Sequence, residues 1–353
     1  MESIIEWLHM AFLRPFPEVD LTVLPGRANG KLKLGPEQLL AVIHGPLLAE
    51  WALQTTALFQ APRLSRGPGG RPTQYHDPSI LLMAVIQTVW RKSYEQIVDW
   101  VANSPPLAQA LGFTGPTISQ GHYWERRRNL GVLPLLLFFL ALVAQLLRLG
   151  VISGKGLIVD SSLLAAWKKA DPGARWQKYA GKKAVFGYKV HTVLCAQSDL
   201  PIFVLLTPAQ VHDSQVGWFV VLVAAILFRL TVEVVYADGA YFDWRLLTVV
   251  TQILHAHPAI QYNLRRQGKR KLVTRFFAQQ WRRLVTTPRT AIERHFAWMK
   301  RYFGLKGFQC STLWRVSQFV FLTYIAALAI AVAATRYQRP ELCRSRSMVI
   351  AHL

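Results

Sequence analysis

Two stretches of this chain carry no charged residue, 19 residues at Asn129–Leu147 and 20 at Val316–Thr335. At about 20 residues, each is long enough to cross a bilayer as a helix. The alternative is a pair of helices buried in a large core. Their composition favours the core. The first holds Pro134 and Gln145; the second holds Ser317, Gln318, Thr323 and many alanines. Alanine contributes less to insertion than Leu or Phe. The opening MESIIEWLHMAF is acidic where a cleavable signal is basic. The expectation is a chain with no membrane partner.

Charge points to a different partner. Lys plus Arg is 41 and Asp plus Glu is 19, a net charge of +22. A surplus that size implies a polyanion, either nucleic acid or an anionic membrane surface. With 52% hydrophobic and 17% charged residues, the chain is not a disordered basic tail. Cys195, Cys310 and Cys343 are far apart, which excludes a disulfide scaffold and a cysteine-based zinc ribbon. They fit a reducing compartment. His255 and His257 are too isolated for a zinc site.

A length of 353 residues predicts about two domains. Residues 1–70 read as a helical segment closed by the linker GPGGRP at 67–72, which lacks the Gly-Lys-Ser/Thr of a phosphate loop. Residues 71–150 read as short helices. Ser93–Gln96 has a capping-box pattern, and a last helix starting near Ser119 runs into Arg126, Arg127 and Arg128. Such a series suits a helix-turn-helix DNA reader. Within 151–337 the order is three strands, helix, strand, helix, strand, helices. That predicts an α/β fold with a ribonuclease H-like mixed sheet flanked by helices. Residues 338–353, with Arg339, Arg344 and Arg346, read as a basic tail, either disordered or touching DNA.

Three acids stand out by position: Asp160 at the end of the strand LIVD, Asp238 after VVYA, and Glu293 in RTAIERHFAWMK. Acids at strand ends can converge at a sheet edge. Glu293 is the only acid between Asp243 and Glu341. An even spread of 19 acids would put two or three in the 44 residues from Asn263 to Lys306, which carry 13 Lys or Arg. On a helix, Arg289, Glu293 and Lys300 fall within about 60° of arc. Ile292, Phe296, Met299 and Phe303 form an adjoining apolar stripe that can seat this helix on the core. Such acids in a cationic protein suit two Mg²⁺ ions on a scissile phosphodiester.

Four ordered segments resemble the DDE transposases of bacterial insertion sequences. They are VDSSLLAAW; FGYKVHTVL with LLTPAQVHDSQ; VVYADGAYFD; and RTAIERHFAWMKRYFGLKGF. The last fits that family's Y-x2-R-x3-E-x6-K signature at Arg289, Glu293 and Lys300, with Thr286 where the tyrosine belongs. The resemblance implies a ribonuclease H-like domain in which Asp160 bridges two Mg²⁺ ions, with Mn²⁺ able to substitute. Asp238 and Glu293 would each hold one ion. It also implies water attack at the element's end, then attack of the freed 3′ hydroxyl on target DNA. Arg289 and Lys300 would position the DNA backbone. Tyr241 is read as a DNA contact or a core residue, and His212 and Asp213 as secondary candidates or a helix cap with a structural pair. His191 is read as a packed or surface histidine, and Ser161 and Ser162 as turn residues. The implied partners are double-stranded DNA, as terminal inverted repeats and target, and a second copy of the chain on DNA. The implied location is the cytoplasm, at the nucleoid. A catalytically silent DNA-binding derivative is the alternative.

Overall fold

The computed structural model describes residues 16–24, 30–59, 75–115, 118–178, 183–261 and 290–351. The chain divides into two compact units, 1–149 with 317–353, and 150–316.

The first unit is helical among its described residues. It contains α1 (Pro36–Val42), α2 (Gly45–Ala57), α3 (Asp77–Trp90), α4 (Tyr94–Asn103), α5 (Pro105–Ala110), α6 (Gln120–Asn129) and α7 (Leu133–Arg148). The expected capping box opens α4, where Ser93 Oγ accepts from Gln96 N at 3.1 Å and Gln96 Oε1 accepts from Ser93 N at 2.9 Å. The two charge-free stretches become α7 and most of the later helix Leu313–Arg336. Phe139 meets Phe321 and Tyr324 at ring-centroid distances of 6.1 and 6.3 Å. Two of their polar side chains donate to backbone: Gln145 Nε2 to the Ile43 carbonyl, and Gln318 Nε2 to the Arg128 carbonyl. Leu313–Arg336 is long and apolar enough to span a membrane, but 89% of its most apolar window is buried in the protein. Its apolarity is used in the core.

The C-terminal residues differ from the disordered tail considered above. Leu34 and Ile350 form a parallel bridge, Trp90 Nε1 donates to the Ala351 carbonyl, and Arg346 Nε donates to the Val89 carbonyl. Val349 and Ile350 are fully buried. The apolar residues between the arginines anchor this segment, and net basicity gave no sign of them.

The second unit is built on a six-stranded mixed sheet. Its strands are β1 (Gly156–Ala165), β2 (Arg175–Gln177), β3 (Val185–Cys195), β4 (Pro201–Pro208), β5 (Val234–Ala237) and β6 (His257–Ile260). β3 pairs antiparallel with β1 and β4; β1 and β5, then β5 and β6, pair parallel. The resulting order, β4-β3-β1-β5-β6, is that of the ribonuclease H-like fold, with β2 added on the β4 edge of β3. α8 (Asp213–Leu227) packs on one face of β1, β3 and β4. After β5 come a 3-10 turn (Gly239–Tyr241) and α9 (Trp244–Thr248). A further helix, α10, is described over 290–302, and α11 (Leu313–Arg336) begins in this unit. α12 (Arg346–Val349) lies in the first unit.

Because α8 and α10 cover opposite faces of the sheet, β3 is buried without alternation from Gly187 to Cys195. Gly187 is required there by space. A Cβ at that position would collide with the Leu164 carbonyl of β1, against which β3 is laid.

Candidate active site

β1 does not stop at Asp160. It runs on through Ser161 and Ser162 to Ala165, so these serines are strand residues and not a turn. The long antiparallel ladder to β3 holds them, from Leu157↔Cys195 to Ala165↔Gly187. The parallel ladder to β5 is shorter and ends at Val159↔Ala237. Asp160 and Asp238 are therefore the next residues on two neighbouring strands, at the point where those strands part. Both are half-buried. Asp238 caps the 3-10 turn, its Oδ1 accepting from Ala240 N at 2.8 Å. Asp160 Oδ1 accepts from Ser161 N at 2.7 Å. These backbone bonds fix the direction of each carboxyl group.

Alternation along β1 sorts its side chains onto two faces. Asp160 shares one face with Ser162, and Lys300 of α10 reaches this face, its Nζ donating to Ser162 Oγ at 2.6 Å. Burial lowers the pKa of Lys300, and the charge of Lys306 lowers it further. α10 is seated as its stripe predicts, with Ile292, Phe296, Met299 and Phe303 buried. Glu293 stands exposed on α10, two turns before Lys300. Arg289 lies outside the described residues.

The opposite face carries a buried ionic group. Asp213, at the start of α8, accepts from Ser161 Oγ at 2.7 Å and lies 3.3 Å from Lys189 Nζ. Lys189 Nζ also donates to the Val211 carbonyl at 2.8 Å. His191 Nε2 bonds Thr207 Oγ1 at 3.0 Å, and its Nδ1 lies 3.7 Å from Asp213. Burial pushes His191 down to about 4, against the opposing pull of Asp213. His212 is exposed as the N-cap of α8. Tyr241 is fully buried, the core alternative of the two considered for it. Burial raises its ionisation well above the ordinary range, with Asp213 and Asp160 adding to the effect. The sequence pointed to Asp213 and His191 separately, and nothing in it joined them to Lys189.

In the first unit, two of the three arginines of α6 have uses inside the protein. Arg126 Nη2 pairs with Asp77 Oδ1 at 2.6 Å and donates to the Tyr75 carbonyl. Arg127 Nη1 donates to Gln87 Oε1 at 2.6 Å and lies over the Tyr94 ring. Arg128 is exposed, over the exposed Trp124.

Two half-buried aspartates at the point where β1 and β5 part suit a hard divalent cation. Among the described residues, no three His, Cys, Asp or Glu side chains form a group that could hold a metal. What the fold assembles is the aspartate pair.

A sheet of this order, with helices on both faces and adjacent aspartates at its central parallel strands, defines a ribonuclease H-like domain. The family model described as a transposase DDE domain matches residues 153–329, about half of the chain, and the chain belongs to that family. No curated protein matches it in sequence. Solved structures similar to it include a piggyBac transposase synaptic complex with hairpin DNA, at 11% identity, 88% of this chain, 79% of that chain and a TM-score of 0.40. A Mos1 transposase paired-end complex with left transposon end is similar at 12% identity, 87% of this chain, 99% of that chain and a TM-score of 0.21.

Proposed function

We propose that this chain is an active transposase that cuts DNA at the ends of an insertion sequence and joins the freed 3′ hydroxyl to target DNA. Asp160, Asp238 and Glu293 are its acids, and two Mg²⁺ ions are the metals they hold, with Mn²⁺ able to replace them. The ions supply activation of the attacking oxygen and neutralisation of the phosphate charge. Asp160 and Asp238 provide the preformed part of the site, and Glu293 completes it as the DNA end is bound. Lys300, on Asp160's face of the sheet, and Arg289 position the terminal backbone. The enzyme works as a homodimer on double-stranded DNA, at the nucleoid. The observation that carries this reading is the register of β1 and β5, which makes Asp160 and Asp238 neighbours. The second reading is a silent DNA-binding derivative.

The test pairs Mn²⁺ titration by calorimetry with nicking of a supercoiled plasmid that carries the chain's own gene and flanking DNA. Wild type is expected to bind Mn²⁺ and to nick in Mg²⁺. Asp160→Asn and Asp238→Asn should each lower nicking at least about a hundred-fold, since metal-held charge stabilisation amounts to several kcal/mol. A wild type that binds DNA but neither binds Mn²⁺ nor nicks would leave the silent derivative standing.

A further inference from the structure

The basic loop between β1 and β3 has two tryptophans that the core does not use. Trp176, on β2, is 61% exposed, and Trp167, just past β1, is 53% exposed. Lys168, Lys169, Arg175, Lys178 and Lys183 are exposed around them, and none makes an ion pair among the described residues. The one acid of this loop, Asp171, is turned inward. Its Oδ1 accepts from Gly173 N, Thr312 N and the Tyr188 hydroxyl, at 3.0, 3.0 and 2.7 Å. That knot pins the loop and leaves its exposed charge wholly positive.

The strand register gives this surface a direction. Ala166 N donates to the Phe186 carbonyl, and Phe186 pairs in turn with Trp176. Counting along β1 in twos, Asp160, Ser162, Leu164 and Ala166 share one face. Trp176 and Phe186 lie on that same face, their rings 5.3 Å apart and tilted by 47°. From Asp160 to Ala166 is six residues, about 20 Å at strand rise. That is about six base steps of duplex.

We propose that Trp176, backed by Phe186 and ringed by these cations, is a stacking platform for an unpaired base of the DNA whose backbone lies at Asp160. Lysines and arginines alone would serve a duplex backbone, since phosphates need only charge. An indole face held in water on an edge strand has another use. Inside a duplex the base faces are covered by their neighbours, so away from a duplex end only an unpaired base can stack on it. The occupant is thus one strand of DNA, opened or single, and not a second copy of this chain, whose net charge of +22 would be repelled.

This rests on the reading of the chain as one that acts on DNA, and its test omits the metal so that cutting plays no part. Fluorescence anisotropy in EDTA would compare the full chain's affinity for a blunt duplex and for the same duplex with an unpaired tail. A 2-aminopurine in the tail would report stacking. Trp176→Ala is expected to weaken tailed-duplex binding about ten-fold or more, to change blunt-duplex binding less than about two-fold, and to abolish 2-aminopurine quenching. Trp176→Phe should retain most of the affinity and quenching, and melting curves of both variants should match wild type. Equal loss on both DNAs, no loss on either, or a wild type that holds no tailed DNA would overturn the platform. Loss of nicking by Asp238→Asn with unchanged tail binding separates its fate from that of the catalytic reading.

Discussion

His191 shows how one buried residue ties stability to pH. Its ring lies between Thr207 and the Lys189–Asp213 pair, and burial holds its pKa at about 4, with the charge of Lys189 acting the same way. An unfolded histidine titrates near 6.5. As pH falls, the unfolded chain therefore takes up this proton first. The stability is fully present above about pH 6.5 and drains away as pH drops toward 4. Between pH 7 and 5, before most carboxylates titrate, the expected loss is about 2 kcal/mol. Thermal melts of wild type and His191→Asn across that window check it. The variant should be less stable at pH 7 but flatter with pH; an unchanged slope would show that His191 is not the group responsible. Neighbouring residues could not reveal this. A histidine alternating with a lysine on a strand reads equally as a wet face, and only the packing of α8 over β3 makes the position dry.

At the scale of elements, α6 divides its three arginines between two tasks. Arg127 makes a charge-assisted bond to Gln87, which also accepts from the buried Tyr123 hydroxyl, and Arg126 is tied to Asp77. Arg128 is exposed at the end of the helix. Arg127→Ala is accordingly expected to cost about 1.5–3 kcal/mol of stability. Arg128→Ala should leave the melting temperature unchanged and, if α6 reads DNA, weaken DNA binding. Melts and duplex titrations of the two variants decide the matter, and a reversal of the two effects would refute the division. The start of α6 was legible, because Ser119 caps it by accepting from His122 N. Its partners were not, since Gln87, Asp77 and Tyr94 lie roughly 30–50 residues upstream. β1 shows the same limit. LIVD read as a strand and Asp160 as its end, yet the strand runs on to Ala165 because β3 offers it an 11-residue partner. Local pattern names elements and their polar landmarks; pairing partners decide how far elements extend.

For the whole molecule, the charge balance sets how binding must respond to salt. A surplus of +22 attracts any polyanion, and that attraction is screened at physiological ionic strength beyond about 8 Å. What survives is the set of cations in contact with phosphate. If the five exposed cations described in the β1–β3 loop each neutralise one phosphate, the logarithm of the binding constant should fall with the logarithm of salt at a slope of about −3.5 on a single strand and about −4.5 on duplex. Each Lys→Ala among them should lower that magnitude by about one. Trp176→Ala should reduce affinity for tailed DNA at every salt and leave the slope alone, because stacking releases no counterions. Titrations at four or five salt concentrations with wild type, Lys178→Ala and Trp176→Ala separate the two contributions. A slope unmoved by Lys178→Ala would place the phosphates elsewhere on the protein, while a slope flattened by Trp176→Ala would mean that the indole only orients the cations around it.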